Sequence, residues 1–407
     1  MVNARAQRPA LTIADYADQS NQTDQFSSVP NGSINLTFGF FGEIGGLLSA
    51  LKKVNRDDLR QSETQVAGEE IGDALWYLVA IANASAISPQ ALGERCLVYL
   101  RTRLGENSHS NGADASFRQI DGLIALHGAD LESQRSTLLR EVARASGEIV
   151  GNPETPQLPL HHATQTELIA QLLGMLGLLS ASFHLKVEDI ARDNIAKTHG
   201  RWPGPSPEYT LPFDASLEAH EQLPRIIPME FVERQATNGT YVVQQLHGVN
   251  IGDRLTDNSN EPDDYRFHDV FHLAYVAHLG WSPVIRSLLK LKRKSMPLID
   301  ENEDGARATI IEEGIATWIF NHAKSRDYYA GVEVGKLEYG LLKQVSSMVE
   351  GYEVSAVPLW QWEKAILDGF RVFREVRRPE NRGGRVTVDM LKHTLSFEPL
   401  NGMQNDA

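Results

Sequence analysis

The sequence predicts a mainly α-helical protein in two parts: an N-terminal helical bundle with the marks of a degenerate tandem repeat, and a mostly helical C-terminal domain with a small β-hairpin. Three observations lead there. Apolar residues recur at helical spacing through most of residues 36–200. Arg201-Trp202-Pro203-Gly204-Pro205-Ser206-Pro207 then breaks the pattern, because prolines this dense cannot continue a helix. Beyond the break, Ile226 to Arg234 and Tyr241 to Leu246 alternate with strand period around Asn238-Gly239, a strong hairpin signal.

Taken in order, residues 1–35 are rich in Asn, Gln, Ser and Asp and are expected to form a flexible arm. Helices are expected over 36–54, 66–86 and 88–104, the last opened by Ser88-Pro89, an N-cap followed by proline at the first helical position. A polar loop fills 105–115, and further helices cover 116–128, 130–149, 164–183 and 186–200. The bundle is bounded at 36–203, a proline-containing linker at 204–222, and the C-terminal domain at 223–400. Within the latter, helices are expected over 266–278, 283–294, 304–324, 334–351, 358–375 and 385–395.

At 407 residues the chain has room for two or three domains with cores of their own. A net charge of −14 argues against binding to a nucleic-acid backbone, which rewards basic surfaces. Nucleotides stay compatible, because a metal ion can bridge phosphate to an acidic site. The only cysteine, Cys96, excludes an intrachain disulfide and a cysteine-based zinc cluster and fits a reducing compartment. No N-terminal leader and no run near the roughly 20 apolar residues of a membrane span are legible, so a cytoplasmic protein without membrane association is expected.

Shifting the sequence by 98 residues lays Glu43 on Glu141, Glu69 on Glu167, Leu75 on Leu173, Leu78 on Leu176 and Arg103 on Arg201 without a gap. Two amphipathic helical stretches also align many apolar positions by chance; the aligned acids and the terminal arginine favour duplication.

The chemistry centres on Glu69-Glu70-Ile71-Gly72-Asp73, which runs into Ala74-Leu75-Trp76-Tyr77-Leu78. Glu70 and Asp73 are three apart on a helix, so both carboxylates can meet one hard cation, and Glu43 stands in the preceding apolar helix. Acids on adjacent core helices are costly unless a metal or hydrogen bonds compensate them. A magnesium site is the expectation, with manganese as an alternative, and Glu43, Glu70 and Asp73 as ligands.

At these residues the sequence resembles the MazG-like all-α nucleoside triphosphate pyrophosphohydrolases, whose pattern is Glu-Glu-x-x-Glu on one helix and Glu-x-x-Asp on the next. Glu70-Ile71-Gly72-Asp73 matches the second motif; in the first, only Glu43 is kept, and Gly42 and Gly46 stand where the other acids belong. Asn194-Ile195-Ala196-Lys197 before Arg201-Trp202-Pro203 is similar to the family's last helix. The first-copy counterparts of Asn194 and Lys197 are Cys96 and Tyr99, and the second copy replaces Asp73 by Gln171, so the copies have degenerated in complementary directions. The resemblance, covering about residues 36–203, implies one composite site: Glu43, Glu70 and Asp73 on the metal, Glu69 orienting a water, and Asn194, Lys197 and Arg201 toward phosphate. It further implies hydrolysis of a nucleoside triphosphate to monophosphate and pyrophosphate, and a homodimer. Lys197 and Arg201 also suit the C-terminal end of a helix through its dipole.

A second constellation, Arg266-Phe267-His268-Asp269-Val270-Phe271-His272, sets two histidines at i and i+4 with Asp269 beside them. Glu312 and Glu313 sit in an otherwise apolar helix. Together they fit a zinc, iron or manganese site, or equally a structural hydrogen-bond network. The stretches around them resemble the C-terminal domain attached to some MazG-like proteins. Polar loops at Gly252–Asn258 and Asp263–Arg266 are candidates for the mouth of a pocket, and Lys290-Leu291-Lys292-Arg293-Lys294 is expected to be a solvated helix end. Two rival functions follow: a catalytically weakened nucleotide sensor, and a metallohydrolase or nucleotide-modifying enzyme working through the histidine cluster.

Overall fold

Helix formation begins earlier than the polar N-terminus leads one to expect. Thr12 caps α1 (Ile13–Gln22), accepting from the Asp15 amide, and Ile13, Tyr16, Ala17 and Ser20 form a buried stripe at helical spacing. The expectation of a flexible arm is therefore corrected for this segment: four well-placed residues outweigh a polar average. The computed structural model describes residues 8–56, 62–106, 115–151, 162–237 and 239–400, so most of the loop expected at 105–115, and Asn238 of the turn, lie outside the described residues.

The chain divides into two compact units, Met1–Gly204 and Pro205–Ala407. The first is entirely helical among its described residues: after α1 come α2 (Gly32–Arg56), α3 (Glu63–Ala84), α4 (Pro89–Leu104), α5 (Phe117–Ile124), α6 (Gly128–Val150), α7 (His162–Ser182) and α8 (Val187–Arg201). Residues 32–54 have the length and hydropathy of a membrane-crossing helix, yet Leu36, Phe40, Ile44, Leu47 and Leu51 pack into the bundle core, and α2 lies against α3 and α6.

The unit is built from two similar halves that share their helices. α3 packs on α8 and, reciprocally, α7 packs on α4. At the centre Thr12 and Ser116, the N-caps of α1 and α5, form an antiparallel bridge: the Ile13 amide donates to the Ala115 carbonyl and the Phe117 amide to the Leu11 carbonyl, each at 3.0 Å. The recurring pattern of contacts takes in four helices per half, where the shift of the sequence aligned three. Between its first helices the offset is 104 residues, Thr12 to Ser116, so an ungapped shift misses it. Asp121 of α5 accepts from the amides of Val187 (2.8 Å) and Glu188 (3.0 Å), satisfying the open N-terminus of α8.

The second unit combines helices with a five-stranded antiparallel sheet of order β3-β2-β1-β4-β5: β1 (Ile226–Ala236), β2 (Gly239–Leu246), β3 (Val249–Leu255), β4 (Gly383–Asp389) and β5 (Thr394–Glu398). The expected β1–β2 hairpin is present, with Ala236 paired to Gly239. The helix expected at 385–395 is instead β4 and β5: Val386 and Val388 are buried while Arg385 is exposed, a period of two. Gly383 and Gly384 adopt positive φ, and a Cβ on Gly383 would lie 2.2 Å from the Phe231 carbonyl oxygen, so glycine is required where β4 meets β1. Inward-facing Ile227, Met229 and Phe231 join the core with α9 (Asp269–Leu279), every residue of which is buried.

Around α9 stand α10 (Pro283–Leu289), α11 (Pro297–Asn302), α12 (Ala306–Lys324), α13 (Tyr339–Met348) and α14 (Leu359–Val376). α10 ends at Lys290, which takes a left-handed conformation with φ of 61°, so the basic run lies beyond the helix. Arg293 is not solvated as expected: it is fully buried and pairs with Asp304 and Glu353. The segment expected as a linker likewise contributes a buried charge. Asp214 accepts from Arg286 (2.5 Å) and from the Leu223 amide (2.7 Å). Burial opposes the charge on Asp214, but Arg225 and Arg286 outweigh it and hold the carboxyl below its usual range.

Asp214→Asn should cost about 3–5 kcal/mol, because it leaves Arg286 buried beside a neutral group; denaturant unfolding measures this. The native carboxyl being depressed, its contribution is present above the unfolded value of about 3.9 and disappears as pH falls through the lower native value. The variant should therefore lose less stability on acidification than the wild type.

Candidate functional site

In the N-terminal unit the acids of α3 sit between α2 and α8. With about 100° per residue, Glu69 and Asp73 fall on nearly one line of α3, and Glu70 is turned away from them. Gly72 lets α8 come close: an added Cβ would touch Asn194 Cβ at 3.3 Å and Ile190 Cγ2 at 3.4 Å. Across this contact Asn194 Nδ2 donates to Asp73 Oδ1 (3.1 Å), while Lys197 Nζ donates to Asp73 Oδ2 (2.5 Å) and Glu69 Oε1 (3.3 Å). Asn194, itself buried, accepts from the Tyr16 hydroxyl of α1 at 2.9 Å.

Glu70 points toward α2. A Cβ on Gly46 would lie 2.5 Å from Glu70 Oε2, so the carboxylate fills space that a side chain at position 46 would need. Tyr77 lies near the acids as well. Burial raises its hydroxyl to about 12, and the charges of Glu43 and Asp73 add to the rise. Tyr16 is raised too, by burial first and then by Asp73. Arg201, at the end of α8, is buried, with its guanidinium 5.2 Å from the Trp202 ring.

The structure brings Glu69 and Asp73 together with Asn194 and Lys197, while Glu70 faces Gly46. The equivalent positions elsewhere carry different chemistry. Glu141 pairs with Arg103 at 2.8 Å and Glu167 with Arg95 at 3.5 Å, while Gly174 packs against the Tyr99 ring. Sequence reading missed Tyr16 and Tyr77. Tyr77 was inside the quoted motif; Tyr16 lay in a segment dismissed for its composition.

In the C-terminal unit α9 supplies His268 at its N-cap, then Asp269 and His272, and α12 supplies Glu312 and Glu313. One ligand atom from each of His268, Asp269 and His272 lies within 4.8 Å of the others. His272 and Glu312 are fully buried and joined at 2.8 Å, whereas the Glu313 side chain is 41% exposed. Burial alone would depress His272, but Glu312 and Glu313 reverse this and raise it well above the ordinary histidine range. The polar loops before α9 form ion pairs: Arg266 binds Glu233, Asp257 and Asp264, and Lys324 binds Asp263. A mouth for a base or sugar at these loops was the expectation; the cations there serve to hold acids.

A comparison with known families finds a likeness for this unit alone. Residues 208–401 match the family model described as the MazG C-terminal domain. The match begins after the bundle, so the resemblance of residues 36–203 to MazG-like enzymes rests on their own motifs. No curated protein and no solved structure matches the chain.

Asn194→Ala removes the acceptor of Tyr16 and a donor to Asp73. A loss of about 1–3 kcal/mol in denaturant unfolding is expected. Tyr16→Phe, which removes only the hydroxyl, should cost about 0.5–1.5 kcal/mol.

Proposed function

We propose that the protein is a magnesium-dependent nucleoside triphosphate pyrophosphohydrolase, converting an NTP or dNTP and water to the monophosphate and pyrophosphate. The observation that carries this reading is Lys197 Nζ bridging Asp73 and Glu69, with Asn194 on the other oxygen of Asp73. A cation from α8 is already held against the acids of α3, which is the neighbourhood a metal-nucleotide complex requires. The MazG C-terminal domain match of residues 208–401 gives independent support for a nucleotide-related role.

The donor chemistry suits the ion, with Glu70 turned toward Gly46 and Asp73 toward Asn194 and Lys197. Glu43, Glu70 and Asp73 offer only carboxylate oxygens, the ligands preferred by magnesium and manganese. The bound metal would supply positive charge to the phosphate oxygens. The remaining work falls to the chain. Asn194 orients Asp73. Lys197, released from Asp73 when another cation takes the carboxylate, would turn toward phosphate oxygens and stabilise the leaving pyrophosphate. Glu69, freed with it, would orient the attacking water. Arg201 sits at the same end of α8. A stripe of Phe38, Phe41 and Leu48 exposed on α2 supports a homodimer, and the single, buried Cys96 suits a reducing cytoplasm.

Purified protein with a panel of NTPs and dNTPs and magnesium should release pyrophosphate, and Asp73→Ala should reduce the rate by at least about 100-fold. Nucleotide binding without turnover in the wild type would make the bundle a sensor, the reading favoured by Gly46 in place of an acid. Turnover that survives Asp73→Ala but disappears in His272→Ala would move the chemistry to the C-terminal unit.

A further inference from the structure

We propose that the C-terminal unit binds a divalent transition-metal ion between α9 and α12, through His268 Nε2, Asp269 Oδ1 and His272 Nε2, with Glu313 Oε2 at a fourth, solvent-accessible position. This is independent of the bundle's carboxylate site.

The tautomers are fixed from outside the cluster. His268 Nδ1 lies 2.9 Å from the Tyr265 carbonyl oxygen, which can only accept, so this nitrogen carries the proton. In the neutral ring Nε2 then holds a lone pair. His272 Nδ1 donates to Glu312 Oε1 at 2.8 Å, and Glu312 is anchored by the Ser282 hydroxyl (2.6 Å) and the Val284 amide (2.8 Å). Gln244 donates to Asp269 Oδ2, which leaves Oδ1 facing His268 Nε2 at 3.1 Å. Outer partners that orient imidazoles and a carboxylate in this way are the usual support of metal ligands.

The inner atoms converge without satisfying one another. His272 Nε2 is buried with no hydrogen-bond partner. Glu313 Oε2 lies 3.5 Å from it and 3.7 Å from His268 Nε2, too far for good hydrogen bonds. With metal–ligand bonds of about 2.0–2.2 Å, the edge of a tetrahedron is about 3.3–3.6 Å. The separations of 3.1, 3.5 and 3.7 Å bracket that edge. Two imidazoles with carboxylates select zinc, iron or manganese over magnesium or calcium. A divalent ion would also offset the charge gathered by Asp269, Glu312 and Glu313. A protonated His272 shared between Glu312 and Glu313 would need no metal and would leave cobalt unbound in the test below.

The test is cobalt(II) titrated into the chelator-treated 407-residue chain. Expected are one equivalent bound per chain with visible d–d absorption, displacement by zinc, and a melting temperature raised by a few degrees, about what tight binding of a single ion provides. His268→Gln and Asp269→Asn should each abolish the absorption, with circular dichroism checking that the fold is intact. His268 caps α9 from outside the helix, so this variant is the less disruptive of the two. Asp73→Ala should leave the spectrum unchanged, separating this site from the bundle's. Absence of cobalt absorption in the wild type overturns the proposal, as does full absorption in a folded His268→Gln/His272→Gln variant.

Discussion

The carboxylate of Asp73 is the constraint around which the N-terminal unit is arranged. Its two oxygens take Asn194 and Lys197 from a helix more than 120 residues later, and Asn194 ties in Tyr16 of the first helix. Three elements distant in sequence are thereby fixed on one acid. Gly72 eases the contact, since a Cβ there would press on Asn194 and Ile190 of α8 at 3.3–3.4 Å. A partly buried acid is costly in isolation and specific when its partners are in place. The same group therefore selects the packing of α3 on α8 and creates a polar centre there.

The C-terminal unit follows the same logic with more charge. Arg286 and Arg293 are buried against Asp214 and Asp304, and Arg266 is held by three acids. The histidine cluster differs in kind. Its outer nitrogens and oxygens are satisfied, while His272 Nε2, at its centre, has no hydrogen bond. A purely structural network would be expected to satisfy the middle first, where desolvation costs most.

Much of the fold was legible because long apolar periodicities report helices directly. The bundle helices and the β1–β2 hairpin were of this kind. Errors fell where a few residues decide. Residues 385–395 contain a short alternation, Arg385-Val386-Thr387-Val388-Asp389, that local pattern cannot distinguish from a turn of helix until β1 provides an edge to pair with. Arg293 looked like part of a solvated run because its partners, Asp304 and Glu353, come from elsewhere in the chain. At the candidate sites the sequence supplied the residue types. It did not supply orientation: that Glu70 faces Gly46 while Glu69 faces Lys197 follows from helix geometry only once the neighbours of α3 are known.

The reciprocal packing gives the complementary losses a physical basis. Because α3 packs on α8 and α7 on α4, each half-site combines acids from one copy with polar groups from the other. Cys96 and Tyr99 on α4 remove the counterparts of Asn194 and Lys197 from the α7 side, where Gln171 has replaced the counterpart of Asp73. Both losses fall on the same half-site. Had Asp73 been lost instead, Asn194 would have lost its acid and Lys197 would have kept only Glu69. The surviving acids on the other side, Glu141 and Glu167, have been taken up by Arg103 and Arg95 as surface ion pairs. If the halves arose by duplication, one of two equivalent centres has become scaffold while the other keeps the bonds of Asn194 and Lys197 to Asp73 and Glu69.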